Sequence, residues 1–226
     1  MSLADNYKRI EELISAAAQS SGRNSEDIEL VAVSKTISTN IIQEAIDSGI
    51  RLFGENRIQE AKNKISQLNG DYSFHLIGHL QSNKSKDAVK LFNLIHSIDK
   101  ISTAIKVNSE AEKINKVQKI LIQVNSSGEN TKNGVEPEET INFVRRIAEL
   151  NNIEVLGLMT MAPFTDNSEL IRKSFRLTKI ILDKINDELN LNLKELSMGM
   201  SQDFELAIKE GATMVRVGTA IFGERK

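Results

Sequence analysis

The sequence predicts an α/β fold, a single TIM-type (β/α)8 barrel domain over residues 1–226 with an added N-terminal helix. Eight short apolar runs alternate along the chain with longer segments of helical periodicity. The runs are apolar throughout, which is typical of parallel strands covered by helices on their outer face. The chain has 226 residues, two prolines and no low-complexity tract, so one barrel without a linker is expected.

The predicted elements follow one another in a regular order. Residues 1–20 place apolar residues at helical spacing between charges, which predicts an amphipathic leading helix. The predicted strands are the apolar runs 28–35, 51–56, 73–79, 94–99, 116–127, 153–162, 193–199 and 213–223. The predicted helices between them are 38–49, 57–68, 82–92, 100–113, 136–150, 167–189 and 201–211. A doubly wound sheet is the alternative, but the stretch VAVSKTIS has no glycine for a dinucleotide fingerprint.

Composition excludes several classes of function. The formal net charge is −2, so no overall field favours nucleic acid or an anionic membrane. The absence of cysteine excludes disulfides and cysteine nucleophiles, and it fits the cytosol. No segment resembles a signal peptide, none approaches the ~20 apolar residues of a membrane span, and no cluster has metal-ligand spacing. We therefore expect a cytoplasmic monomer without metal, membrane or nucleic-acid partners.

Lys35 follows the first predicted strand, at the carboxyl-terminal face that carries function in such barrels. A lysine at a strand end is often an ordinary solvated charge. Among apolar walls, however, its charged form is disfavoured, and the neutral amine can attack an aldehyde to form a Schiff base. Both interpretations stay open on this residue alone.

Two turns near the end of the chain predict an anion site. The stretch SMGMS leaves strand seven, where Gly199 would let a ligand approach and Ser201 would cap the next helix. The stretch RVGT leaves strand eight, with Gly218 and Thr219 opening a short terminal segment. Barrels of this type commonly bind phosphate in the loops after strands seven and eight. Two ordinary capped turns are the alternative.

Arg216 alternates with two valines on strand eight, so it points into the barrel if the valines face the helices. A buried arginine stays charged and needs a partner. That partner is either a rim carboxylate such as Glu55 or a ring nitrogen of a ligand. A lysine amine, a phosphate cradle and this arginine together match the aldehyde, the phosphate and the pyridine nitrogen of pyridoxal 5′-phosphate.

Motifs along nearly the whole chain resemble those of the pyridoxal-phosphate homeostasis proteins, single-domain relatives of the alanine racemase barrel. These motifs are LVAVSKTIS, FGENRIQE, FHLIGHLQSNK, HSIDK, QVNSSGENTKNG, GLMTMAP and LSMGMSQDFELAIKEGATMVRVGTAIFG. The resemblance implies that Lys35 holds the cofactor covalently, with Asn56 nearby and Arg216 facing the pyridine nitrogen. It also implies that the residues around the phosphate are Ser197, Ser201, Gly218 and Thr219.

The resemblance implies a role in pyridoxal-phosphate homeostasis, in which the protein buffers the cofactor or delivers it to pyridoxal-phosphate-dependent apoenzymes. A weak amino-acid racemase is the alternative. A racemase needs a second acid–base group, but Tyr7 and Tyr72 are predicted away from the working face. His79 is the remaining candidate, although capping a loop or bonding to a carboxylate is its simpler role. The polar loop 125–139 is expected to be mobile, with Lys132 as a gating candidate.

Overall fold

A computed structural model describes residues 2–129 and 132–223 of the chain and confirms the predicted barrel. Eight parallel strands close on themselves in sequence order, with the last strand paired to the first. The strands are β1 Glu29–Val33, β2 Leu52–Glu55, β3 Ser73–Leu76, β4 Leu94–Ile98, β5 Gln118–Gln123, β6 Ile153–Met159, β7 Glu195–Met200 and β8 Met214–Val217. The prediction of one domain over 1–226 reaches beyond the described residues and stays a prediction.

The helices lie outside the barrel, in the order that the helical periodicity predicts. They are α1 Leu3–Ser20, α2 Thr39–Asp47, α3 Ile58–Ile65, α4 Ser85–Leu91, α5 Ile101–Glu112, α6 Thr140–Ile147, α7 Ser168–Leu189, α8 Phe204–Lys209 and α9 Thr219–Phe222. Short 3₁₀ turns cover residues 25–27, 82–84 and 137–139. Among residues 2–129 and 132–223, no helix is long and apolar enough to cross a membrane.

Several observed strands are shorter than their apolar runs, because the ends of these runs form the loops of the working face. The predicted strand 213–223 shows this best: β8 ends at Val217, and α9 begins at Thr219. Polar residues that the sequence places at strand tips, Lys35 among them, therefore lie in turns just beyond the strands.

The leading helix α1 is well specified at its start. The Ser2 side chain accepts a hydrogen bond from the Asp5 amide, and the Asp5 carboxylate accepts one from the Ser2 amide. This reciprocal capping satisfies two donors that the first turn leaves without acceptors. The buried face of α1 packs against α8 and α9, the helices that follow the last two strands.

Candidate functional site

Most of the predicted site residues lie at the carboxyl-terminal ends of four strands that are neighbours around the barrel: β7, β8, β1 and β2. Lys35 lies two residues beyond β1 and is half-buried, and Asn56 directly follows β2. Ser201 directly follows β7, and Gly218 directly follows β8. The closed strand order thus brings together Lys35 and Gly218, which are 183 positions apart in the sequence.

The turn that carries Lys35 is held from both sides by α3. Thr36, the next residue, has a φ of 65°, in the left-handed region that few residues other than glycine adopt. Its amide donates to the Glu60 carboxylate at 2.5 Å. On the other side of Lys35, the Lys64 ammonium donates to the Ser34 carbonyl at 2.8 Å. These contacts fix the backbone on both sides of the lysine.

Lys64 is buried and forms ion pairs with two carboxylates, Glu55 at 2.9 Å and Glu60 at 2.6 Å. Glu55 is fully buried and also accepts from the Ser34 hydroxyl at 2.7 Å. Burial raises the pKa of Glu55, and the hydrogen bonds from Lys64 and Ser34 oppose this rise. The sequence analysis missed Lys64, although its spacing of four residues from Glu60 on one helix was a visible signal.

Arg216 points into the barrel, as the strand alternation predicts, and it is only 4% exposed. Its Nη1 donates to the Ser197 hydroxyl at 2.5 Å, and its Nη2 donates to the Thr160 carbonyl at 2.9 Å. Burial lowers the pKa of Arg216 to about 10, and the charge of Asp203 opposes this shift. No ion pair within 4 Å is found for Arg216 in the described part of the chain, and Glu55, the suggested partner, pairs with Lys64 instead.

Ser197 is fully buried inside the barrel on β7. Besides accepting from Arg216, its hydroxyl lies 2.9 Å from Nδ1 of His96, and Nε2 of His96 lies 3.0 Å from Nδ1 of His75. Both histidines are buried, as their strand positions predict. A direct contact between Ser197 and a phosphate stays a prediction, because the observed contacts of this hydroxyl are to Arg216 and His96.

The turn after β7 differs from its prediction at Ser201. Ser201 is not the N-cap of the next helix: α8 begins at Phe204, with Asp203 as its N-cap, and the Asp203 side chain accepts from the Met200 amide at 2.5 Å. Gly199 has a φ of 93°, and a Cβ there would lie 2.6 Å from Cβ of Ala207. This glycine therefore allows close packing of β7 on α8. Ser201 remains half-buried at the end of the strand.

Gly218 and Thr219 form the start of α9 beside the end of β1. A Cβ built on Gly218 would lie 3.2 Å from the carbonyl oxygen of Val33, so the two strand ends pass close together. Within this turn the amides of Ile221 and Phe222 donate to the Gly218 carbonyl. The amides at the start of the helix have no acceptor within it, and Thr219 is exposed.

The remaining candidates have contacts of their own. His79 lies 3.5 Å from the Asp99 carboxylate, the simpler of its two predicted roles. Lys132 donates to Glu129 and to the Ala162 carbonyl, both at 2.8 Å, and so joins the loop 125–139 to the loop after β6. Residues 130 and 131 of that loop lie outside the described residues, and its mobility stays a prediction. In the described ranges, no group of three or more histidine or carboxylate side chains could hold a metal ion.

Comparisons with known proteins identify the family and agree with the fold. Residues 3–226 match the family model described as alanine racemase, N-terminal domain. The chain is 43% identical over 227 residues to the pyridoxal phosphate homeostasis protein of Aquifex aeolicus, and the match covers 100% of both chains. It is also similar to the structure of PipY of Synechococcus elongatus with PLP bound, with a TM-score of 0.87, 32% identity and coverage of 98% and 100%. An alanine racemase of Clostridium difficile shares the fold at a TM-score of 0.77 and 19% identity; the match covers 98% of this chain and 57% of the racemase.

Proposed function

The chain belongs to the pyridoxal phosphate homeostasis proteins, within the alanine racemase N-terminal domain family, and on that premise we propose that it binds pyridoxal 5′-phosphate, buffers it and delivers it to apoenzymes. In this proposal Lys35 binds the cofactor's aldehyde covalently. Arg216 faces the pyridine nitrogen, and Asn56 lies beside the cofactor. The proposed phosphate residues are Ser201, Gly218 and Thr219, with Ser197 kept as a predicted fourth.

The observation that carries the proposal is the environment of Arg216. Its guanidinium is buried and hydrogen-bonded to two neutral partners, the Ser197 hydroxyl and the Thr160 carbonyl. Among the described residues no carboxylate pairs with Arg216 within 4 Å, and a buried cation without an ion pair is costly unless a ligand supplies an acceptor. The two hydrogen bonds use Nη1 and Nη2, and neither uses Nε. A heteroaromatic nitrogen is a neutral acceptor of suitable size for the remaining donors.

The other end of the site fits an aldehyde and a phosphate. Lys35 provides a primary amine in a half-buried turn, fixed on both sides by α3. The start of α9 provides backbone donors, and Ser201 and Thr219 provide hydroxyls at the same rim. When bound, the cofactor supplies a reactive aldehyde and a ring that withdraws electrons. The chain's own residues would hold and orient it, and the exposed rim would leave it accessible for release.

The alternative of a weak racemase has less support from the positions of the tyrosines. Tyr7 lies in α1 and lines a cavity with Ile28 and Leu30, near the start of β1. Tyr72 precedes β3, and its hydroxyl donates to the carbonyl oxygens of Ile65 and Leu68. Both tyrosines are therefore near the amino-terminal ends of the barrel strands, whereas Lys35 lies at the carboxyl-terminal ends. We propose a monomeric, cytoplasmic carrier, and Cα-hydrogen exchange of alanine in deuterated water tests the racemase alternative.

Borohydride labelling tests the proposal directly. The protein is incubated with pyridoxal 5′-phosphate, reduced, digested and mapped by mass spectrometry, and the label is expected on Lys35. The Lys35→Ala variant should lose the label, whereas Lys84→Ala, a change on the same face, should keep it. In a separate experiment, wild-type protein that is loaded with cofactor but not reduced should restore activity to an apoenzyme of the pyridoxal-phosphate class. A label found mainly on Lys84 or Lys132 would contradict the assignment.

A further inference from the structure

Four buried polar side chains form a continuous row across the interior of the barrel. The row runs from His75 on β3, through His96 on β4 and Ser197 on β7, to Arg216 on β8. Its three links are 3.0, 2.9 and 2.5 Å long. None of the four residues is more than 7% exposed. In the proposed function Arg216 faces the ring nitrogen and Ser197 is a predicted phosphate residue, so the two histidines and the contact between Ser197 and Arg216 need an explanation.

The donors and acceptors define the proton positions along this row. Arginine has only donors, so the Ser197 oxygen must accept from Arg216. The Ser197 hydroxyl can then donate to Nδ1 of His96, and in that arrangement the neutral ring of His96 carries its proton on Nε2. That proton is donated to Nδ1 of His75. In this arrangement every donor along the row points in the direction from Arg216 toward His75, and both imidazoles are neutral.

The surroundings favour the neutral imidazoles. Burial lowers the pKa of His75 to about 4 and holds the pKa of His96 well below its usual range, with the charge of Arg216 adding to the second effect. The barrel also contains a small buried apolar cluster of Leu94 on β4, Leu121 on β5, Met159 on β6 and Met214 on β8. Hydrogen bonds in such a low-dielectric interior are stronger than in water, and each group in the row polarises the next.

We propose that Ser197, His96 and His75 are positioning residues that fix the orientation of the Arg216 guanidinium toward the ring nitrogen of the bound cofactor. The inference rests on the proposed function. The guanidinium is planar, and it is anchored at Nη1 by Ser197 and at Nη2 by the Thr160 carbonyl. Two anchors determine its plane, whereas one would let it pivot. His96 accepts a hydrogen bond from the Ser197 hydroxyl and so fixes its direction. His75 accepts from Nε2–H of His96 and so stabilises that tautomer.

This interpretation assigns Ser197 to the nitrogen end of the site instead of the phosphate end. The two assignments differ in a measurable way. A serine that contacts phosphate affects pyridoxal 5′-phosphate but has little effect on pyridoxal, which lacks the phosphate. A serine that orients Arg216 affects both compounds equally, because both carry the pyridine nitrogen.

The first part of the test uses the protein without cofactor. Ring ¹⁵N chemical shifts of the histidines report which nitrogen carries the proton. We expect His96 in the Nε2–H form in the wild type, and we expect Ser197→Ala to shift its ring nitrogens. Ser85→Ala is the matched control, because Ser85 is fully buried in α4 and its hydroxyl has no partner in the described part of the chain. Equal spectra for the two variants would overturn the proposed row.

The second part uses cofactor labelled with ¹⁵N in the ring. Ser197→Ala should shift the pyridine ¹⁵N resonance and weaken binding of pyridoxal 5′-phosphate and pyridoxal alike by about tenfold, which corresponds to ~1.4 kcal/mol. Ser197→Thr, which keeps a hydroxyl, should recover most of the wild-type pyridine shift. The Ser85→Ala control should match the wild type in both measurements.

The outcomes separate this inference from the proposed function. If borohydride labels Lys35 in the wild type but Ser197→Ala leaves the pyridine shift and both affinities unchanged, the positioning role is wrong and the cofactor site stands. If Ser197→Ala weakens only the phosphorylated compound, Ser197 is a phosphate contact and the inference is wrong. If Lys35 is not labelled in the wild type, the proposed function fails, and the positioning role fails with it.

Discussion

Replacing Lys64 by methionine should lower the free energy of unfolding by about 3–5 kcal/mol, because breaking a buried ion pair leaves the other charge buried and unpaired. Lys64 is 7% exposed, and its ammonium holds Glu55, Glu60 and the Ser34 carbonyl within 2.9 Å. Without it, the fully buried Glu55 keeps only the Ser34 hydroxyl. Glu60 is more exposed, so water compensates part of its loss.

The effect of this substitution should depend on pH. Burial already raises the pKa of Glu55 in the folded protein, and Lys64 opposes that rise, so removing Lys64 should raise it further. A carboxyl whose folded pKa is above its unfolded pKa stabilises the fold at low pH and loses this contribution as the pH rises. The penalty of Lys64→Met should therefore be largest near pH 8 and smaller near pH 5, where the Glu55 carboxyl binds a proton.

Urea unfolding at both pH values measures this penalty. Lys62→Met is the matched control, because Lys62 lies on the same helix and its pair with Asp87 is exposed; we expect it to cost less than about 0.5 kcal/mol. Adding Glu55→Gln to Lys64→Met should recover at least ~1 kcal/mol, because the unpaired charge is removed. A cost for Lys64→Met within ~1 kcal/mol of the control, or one independent of pH, would refute the reasoning.

Three further predictions follow from single residues. The folded pKa of His75 is about 4, below its unfolded value, so the unfolded state binds more protons as the pH falls. Acidification from pH 7 to 5 should therefore lower the free energy of unfolding of the wild type by about 2 kcal/mol more than that of His75→Asn, as measured by urea titration. Parallel pH profiles of the two unfolding free energies would contradict this. Ser201→Ala should weaken pyridoxal 5′-phosphate by ~1–3 kcal/mol but leave pyridoxal unchanged in spectrophotometric titrations, and an equal loss for both would remove Ser201 from the phosphate site. Gly199→Ala should lower the melting temperature more than the control Gly49→Ala. Both glycines have φ above 90°, but of the two only Gly199 would bring a Cβ to 2.6 Å from another atom. Equal decreases in melting temperature would show that packing on α8 is not the reason.

The order of the elements was predictable because parallel strands of a barrel are buried on both faces. Their sequences are therefore apolar runs, such as LVAV in β1, and the helices between them keep the 3.6-residue period. The barrel order then places the strand ends side by side. This is why Lys35, Asn56 and Gly218, which are far apart along the chain, could be assigned to one rim from the sequence alone.

The contacts inside the barrel were not predictable from spacing. His96 and Ser197 are 101 residues apart, and spacing left the partner of Arg216 open between a rim carboxylate such as Glu55 and a ring nitrogen of a ligand. The contacts of Arg216 depend on how deep inside the barrel each inward side chain lies. A run of apolar residues in the sequence does not give that depth. A signal was nevertheless present, because His75 and His96 are polar residues at inward positions of otherwise apolar strands.

The prediction of the helix cap after β7 failed for a different reason. Ser201 and Asp203 are both good N-caps, and sequence preference alone does not choose between them. The left-handed Gly199 changes the direction of the chain before the helix, and the Asp203 carboxylate closes the turn by accepting from the Met200 amide. As a result, α8 starts at Phe204, and Ser201 is left at the rim, where its hydroxyl is not used as a cap.

The leading helix has a part in the site although none of its residues lies at the rim. The side chain of Asn6 donates to the Ile221 carbonyl in α9, and Arg23, just beyond α1, donates to the carbonyl oxygens of Ile208 and Ala212 at the end of α8. All three carbonyls belong to the segments that follow β7 and β8, the strands that end just before Ser201 and Gly218. A four-residue helix such as α9 is too short to be stable alone. Because α1 packs across α8 and α9, it holds the proposed phosphate loops in place, which explains why a closed barrel carries this additional helix.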